Sequence, residues 1–188
     1  MPSHSKLDPQ NRHRRSIRLP EYDYTQTGAY FVTVVTDGRD CLFGAVVDGE
    51  MQLNDFGKIA DECWWAIPDH FPFVELGAHV IMPNHVHGII IINAAEVMSG
   101  RGAALLRPYE PSPNVKPGSL GAIIRSYKSA VSYRIHKEHN ATGIWQRNYY
   151  EHIIRTDADL QRITDYINAN PLRWNDDDEN PANIQPPA

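Results

Sequence analysis

His85 and His87 flank a single valine just ahead of the run Gly88-Ile89-Ile90-Ile91-Ile92, whose β-branched residues favour a strand. Strand side chains alternate between faces, so the two imidazoles point the same way, about 7 Å apart by the strand rise, and both can reach one cation. A pair of solvated imidazoles on an exposed sheet face is the alternative. The position after Pro83-Asn84 and before the isoleucines tips the balance toward a metal site, with the His87 imidazole expected at its mouth. A second pair, Tyr166 and Asn170, is four residues apart in a stretch of helical periodicity and therefore shares one helix face. Taken alone, Tyr166 also fits the edge of a core, three residues after Ile163, and Asn170 before Pro171 also fits a helix terminator.

The elements that must position these residues can be read from periodicity and turn chemistry. Residues 29–36 are dense in β-branched and aromatic side chains and stop at Asp37-Gly38, a strand followed by a turn. Leu42 to Val47, Asp48-Gly49 and Glu50 to Leu53 read as a hairpin, and Asn54 caps a helix to about Ile67 that Pro68 ends. Val74 to Met82 and His85 to Ile92 are apolar runs joined through Pro83-Asn84, an antiparallel pair with a tight connection. Leu120, Ile123, Ile124, Tyr127, Val131 and Ile135 predict a helix from Ser119 to about His136, and a short strand is expected around His152 to Ile154. Thr156 with Asp159 resembles a capping box for a last helix, striped by Leu160, Ile163 and Ile167 and stopped by Pro171. The order β-β-β-α-β-β-α-(β)-α predicts an α+β fold, an antiparallel sheet with helices packed mainly on one face as a two-layer sandwich.

Around this body lie three segments of different character. Residues 1–20 lack apolar periodicity and carry Arg12, Arg14, Arg15 and Arg18, which reads as a basic flexible arm. Residues 93–118 form a long Gly- and Pro-containing loop, and 175–188 an acidic, Pro-rich tail. The net charge of −5 argues against a nucleic-acid partner until its distribution is considered. Setting aside Asp176, Asp177, Asp178 and Glu179 leaves 19 acidic against 18 basic residues, a near-neutral body with a basic arm. No stretch approaches the ~18 apolar residues of a membrane span. The absence of a signal peptide makes a cytoplasmic protein the expectation, and Cys41 and Cys63 read as separate thiols.

Met82-Pro83-Asn84-His85-Val86-His87 followed by four isoleucines resembles the His-hydrophobic-His signature of HUH transposases, specifically the REP-associated tyrosine transposases of the insertion-sequence-200-like group. Trp145-Gln146, Tyr150-Glu151-His152-Ile153-Ile154-Arg155 and Asp165-Tyr166-Ile167 with Asn170-Pro171 resemble that family's C-terminal signature in the expected order, and the match spans residues 16–174. The resemblance implies a ferredoxin-like sheet with the histidines on a central strand, Tyr166 as nucleophile, and Asn170 as third metal ligand beside His85 and His87. It further implies single-stranded hairpin DNA as substrate and association with the nucleoid when DNA is bound; related enzymes can be homodimers that exchange the tyrosine helix, which leaves monomer and dimer both open. The loop 93–118 departs from the small members of the family.

Cleaving a phosphodiester needs an activated nucleophile and neutralisation of the charge building on the non-bridging oxygens. A divalent cation supplies the second, and it also favours the phenolate of a tyrosine whose ordinary pKa is about 10. Imidazole ligands favour zinc, whereas the resemblance implies Mg2+ or Mn2+ on an all-neutral ligand set. Tyr127, Tyr149 and Tyr150 are rival nucleophiles, none of them paired with an amide four residues on. Arg125, Lys128 and Arg155 are candidate phosphate contacts, and solvated surface residues otherwise. His152 is a weaker candidate for DNA contact, and Trp64, Trp65 and Trp145 are read as core. The rival functions are a non-catalytic or domesticated single-stranded nucleic-acid-binding protein, and a metallohydrolase that uses water.

Overall fold

Strand β1 (Gly28–Val35) opens the computed structural model, which describes residues 25–93, 116–177 and 179–183. The hairpin β2 (Gly44–Val47) and β3 (Glu50–Leu53) follows, then α1 (Asp55–Trp65), the single-turn α2 (Ile67–His70), β4 (Val74–Ile81) and β5 (His85–Ile92). After the loop come α3 (Leu120–His139), β6 (Tyr150–Ile154) and α4 (Asp157–Ala169). Arg12, Arg14, Arg15, Arg18 and most of the 93–118 loop lie outside the described residues.

The sheet runs β4-β5-β1-β6, antiparallel throughout. With α1 between β1 and β4, and α3 between β5 and β6, this is the ferredoxin-like β-α-β-β-α-β arrangement. β5 is one of the two central strands and pairs with β1 so that Thr33 faces His87 and Val35 faces His85.

Both faces of the centre are covered, which explains why β5 reads as unbroken isoleucine rather than as an alternation. Tyr30, Val32, Val34, Val86, Ile90 and Ile92 pack on one side with Trp64 of α1 and Ile123, Tyr127 and Val131 of α3. On the other side Phe31, Ile89 and Ile154 receive Ile163 and Ile167 of α4. Thus α1 and α3 share one face as expected, and α4 lies on the opposite one, the face of His85 and His87. Gly88 lets the buried Trp64 lie against the strand, because a Cβ there would sit 2.1 Å from the Trp64 Cζ2.

Helix ends follow the capping residues. Asn54, Ser119 and Thr156 accept hydrogen bonds from the backbone N–H groups of Gly57 (3.0 Å), Ala122 (3.3 Å) and Asp159 (3.1 Å). Two expectations are corrected. Pro68 starts α2 rather than ending structure, because proline is compatible with a first helical turn. Only half of the Thr156/Asp159 box forms, since the Asp159 carboxylate takes His152 and Arg162 instead of reaching back to the cap.

The segment behind α4 differs most from its reading as an acidic tail. A 3-10 turn at Pro171–Asp176 and another at Pro181–Asn183 fold it back onto the sheet end that carries His85. The Asn84 amide donates to the Glu179 carbonyl (2.7 Å), and Arg39 pairs with the Glu179 carboxylate (3.1 Å). Acidic composition hid this because these groups act through backbone carbonyls and short-range pairs, not as a solvated run.

Candidate functional site

His85 and His87 begin β5 on the face that α4 covers, with ring centroids 4.4 Å apart. Neither stands at an open mouth: relative exposure is 0% and 3%, so the reading as solvated imidazoles does not hold. Burial lowers both pKa values, that of His85 to about 3 and that of His87 well below its ordinary value, where neighbouring His85 contributes as well. Both rings are therefore neutral at ordinary pH, the form that offers a lone pair to a metal.

The protonated nitrogen of His85 can be deduced from its neighbour. The Asn84 amide nitrogen donates to the carbonyls of Arg39 (3.0 Å) and Glu179 (2.7 Å), which fixes the amide with its oxygen toward His85. That oxygen lies 2.9 Å from His85 Nδ1, which must then be the N–H donor. The lone pair is consequently on Nε2, a buried atom with no hydrogen-bond partner among the described residues. Thr33, opposite on β1, orients the His87 ring through a hydrogen bond between Oγ1 and Nδ1, 2.9 Å apart.

Helix α4 brings the other two residues. Ile163 and Ile167 dock it, leaving Tyr166 at the helix edge with its hydroxyl 3.2 Å from His87 Nε2 and its ring edge-on to Phe31 at 6.1 Å. The Tyr166 hydroxyl thus stands beside His87 within a single chain. Asn170, just past the end of α4 and buried, donates from its amide nitrogen to an Asp177 carboxylate oxygen at 3.1 Å. Its amide oxygen is buried and without a hydrogen-bond partner among the described residues, and lies near enough to His85 to favour a protonated ring. Two acceptors, His85 Nε2 and Asn170 Oδ1, are thus held facing one space with no donor between them. Acceptors so held repel one another unless a cation or proton joins them, and a divalent metal fits this donor set. One donor atom from each of His85, His87 and Asp177 lies within 4.8 Å of the others.

The remaining candidates fall elsewhere. Tyr127 is buried and donates its hydroxyl to the Ala60 carbonyl at 3.2 Å, so it is a core residue. Tyr150 is exposed on edge strand β6, with Phe31 between it and Tyr166. His152 pairs with Asp159 at 2.8 Å. Trp64 is core and Trp145 packs on Phe43 and Tyr127, whereas Trp65 is exposed. Arg125 and Lys128 lie on α3, away from the histidine face, along a groove lined also by Trp145, Arg147 and Tyr149. The Lys128 ammonium donates to the carbonyls of Gln146, Arg147 (3.5 Å) and Asn148 (3.4 Å), and burial lowers its pKa to about 8. Arg155 is exposed between β6 and α4. Sequence reasoning passed over Thr33, Asn84 and Asp177. The adjacency of Asn84 to His85 was the one available signal, since the pairing of Thr33 with His87 depends on strand register and the placement of Asp177 on a turn after Pro171.

No family model matches the chain. It is 41% identical over 167 residues to an uncharacterised protein of Haemophilus influenzae, covering 88% of this chain and 92% of that one. A second Haemophilus influenzae protein, provisionally named a REP-associated tyrosine transposase, is 29% identical over 152 residues, 80% of this chain and 74% of its own length. The fold is similar to a solved REP-associated tyrosine transposase bound to a REP hairpin, with a TM-score of 0.57 and 19% identity over 84% of this chain and 74% of that chain.

Proposed function

We propose that this chain, a member of the REP-associated tyrosine transposase family, cuts and rejoins single-stranded hairpin DNA through a covalent bond to Tyr166. The observation that carries the reading is the Tyr166 hydroxyl 3.2 Å from His87, beside two buried acceptors turned toward the same space. His85, His87 and Asn170 would hold a divalent cation, Mg2+ or Mn2+. When bound, the cation would polarise the scissile phosphate and favour the phenolate.

The chain's own residues supply the rest. Asn84 and Thr33 fix the imidazoles so that their Nε2 atoms face inward. Packing of α4 holds the phenol beside His87, converting attack into a step between positioned groups. Attack by the Tyr166 oxygen forms a P–O bond to the enzyme and breaks the bond to one DNA strand end, which leaves as a hydroxyl. The phosphotyrosine keeps the energy of the broken bond, so a second hydroxyl end can attack it without ATP. Arg12, Arg14, Arg15 and Arg18 are proposed as the main phosphate contacts, with Arg125 and Arg155 secondary. Lys128 is the weakest of the set because its ammonium already serves three carbonyls.

Incubating the protein and Mn2+ with a labelled hairpin from the DNA flanking its gene tests this reading. A denaturing gel should show a protein-linked strand and a shortened free strand. Cleavage without a linked strand points to a water-using hydrolase, and binding without cleavage to a non-catalytic DNA-binding protein.

A further inference from the structure

Asp177 lies seven residues beyond Asn170, within the segment that turns back over the histidines. Its Oδ1 accepts from the Glu179 backbone N–H at 2.7 Å and its Oδ2 from the Asn170 amide at 3.1 Å. Those bonds orient the carboxylate from two sides and bring it within 4.8 Å of the histidine donor atoms. His85 Nε2 and Asn170 Oδ1 are buried and unpartnered among the described residues, so the carboxylate joins acceptors that a cation would satisfy.

We propose that Asp177 is the anionic ligand of this cation, making the site His85, His87, Asn170 and Asp177. The inference rests on the metal reading above and changes its chemistry. A carboxylate places one negative charge against the cation and adds a hard oxygen, which suits Mg2+ or Mn2+ better than three neutral ligands do. The turn that follows Pro171 thereby supplies a ligand to the metal centre.

The alternative is that Asp177 only orients the Asn170 amide, and a double-mutant cycle read by Mn2+ binding to the full chain without DNA separates the two. Calorimetric titration of the wild type should give a saturable site that His87→Ala loses. Asp177→Asn should weaken Mn2+ at least about tenfold, and should do so again in an Asn170→Ala background. Asp177→Glu, which keeps the carboxylate, should recover part of the affinity, and thermal melting of each variant checks the fold. Unchanged Mn2+ affinity in Asp177→Asn, or an effect that vanishes once Asn170 is alanine, overturns the proposal and leaves the metal reading intact. A wild type that takes up no Mn2+ overturns the metal reading itself.

Discussion

Tyr166 is the residue on which the proposed chemistry turns. Replacing it with phenylalanine removes one oxygen and leaves the ring against Phe31 and His87. Tyr166→Phe should therefore abolish strand cleavage and keep hairpin affinity within a few-fold, as a gel assay and binding isotherms on the same protein will read. Asn84 carries a different weight, since it is fully buried and serves two carbonyls and His85. Asn84→Ala should cost about 1–3 kcal/mol in denaturant unfolding for the groups it leaves unpaired. It should also weaken Mn2+ binding by about 10- to 100-fold through a misplaced His85 tautomer. The buried imidazoles add a pH dependence. The folded His85 pKa of about 3 lies below its unfolded value of 6.5, so between them the unfolded chain binds a proton that the folded chain does not. Stability is then complete above about pH 6.5 and falls as pH drops toward 3, and His87 adds in the same direction. The melting temperature of the metal-free protein should fall from pH 6.5 to 5, with a shallower fall in His85→Gln. A flat profile would contradict a buried neutral pair. The His-x-His spacing was legible in the sequence. The partners that fix each ring were not, because Thr33 meets His87 only through strand register.

At the scale of elements, the periodicities located every helix and strand of the ferredoxin-like frame, and the caps at Asn54, Ser119 and Thr156 marked where helices begin. Which side of the sheet each helix covers was less legible. The apolar stripe of α4 is as consistent with one face as with the other, and the choice is made by Phe31 and Ile89 alternating away from the larger core. That small second core holds α4, and with it Tyr166, the proposed nucleophile, in place. Ile167 is fully buried there, and Ile167→Ala should cost roughly 2–5 kcal/mol in denaturant unfolding. Cleavage should fall with it even where the protein remains folded, because α4 carries Tyr166 and abuts Asn170. Full cleavage by a destabilised Ile167→Ala protein would show that the docking of α4 does not set the geometry of attack. Asp177 and Glu179 illustrate the reverse case, in which residues read as part of an acidic tail are tied to Asn170, Asn84 and Arg39.

For the whole molecule, a net charge of −5 and the proposed DNA substrate are reconciled only by where the charges lie. Asp177 of the acidic run is turned toward the histidines, and the arginines of residues 12–18 are the proposed phosphate contacts. Deleting residues 1–18 should weaken hairpin binding and reduce its salt dependence by about 0.7 in slope for each phosphate that the arm no longer neutralises. Cleavage should survive at high DNA concentration, because His85, His87 and Tyr166 are untouched. Equal affinity and slope in the full-length and truncated proteins would assign DNA binding to the folded body instead. The central claim is that Tyr166 itself becomes bonded to DNA. Trapping the Mn2+-dependent adduct on a hairpin substrate, digesting it with protease and nuclease, and mapping the nucleotide-bearing peptide by mass spectrometry tests this directly. A phosphonucleotide is expected on Tyr166; an adduct on Tyr149 or Tyr150, or cleaved DNA with no modified tyrosine, would rule Tyr166 out as the attacking residue.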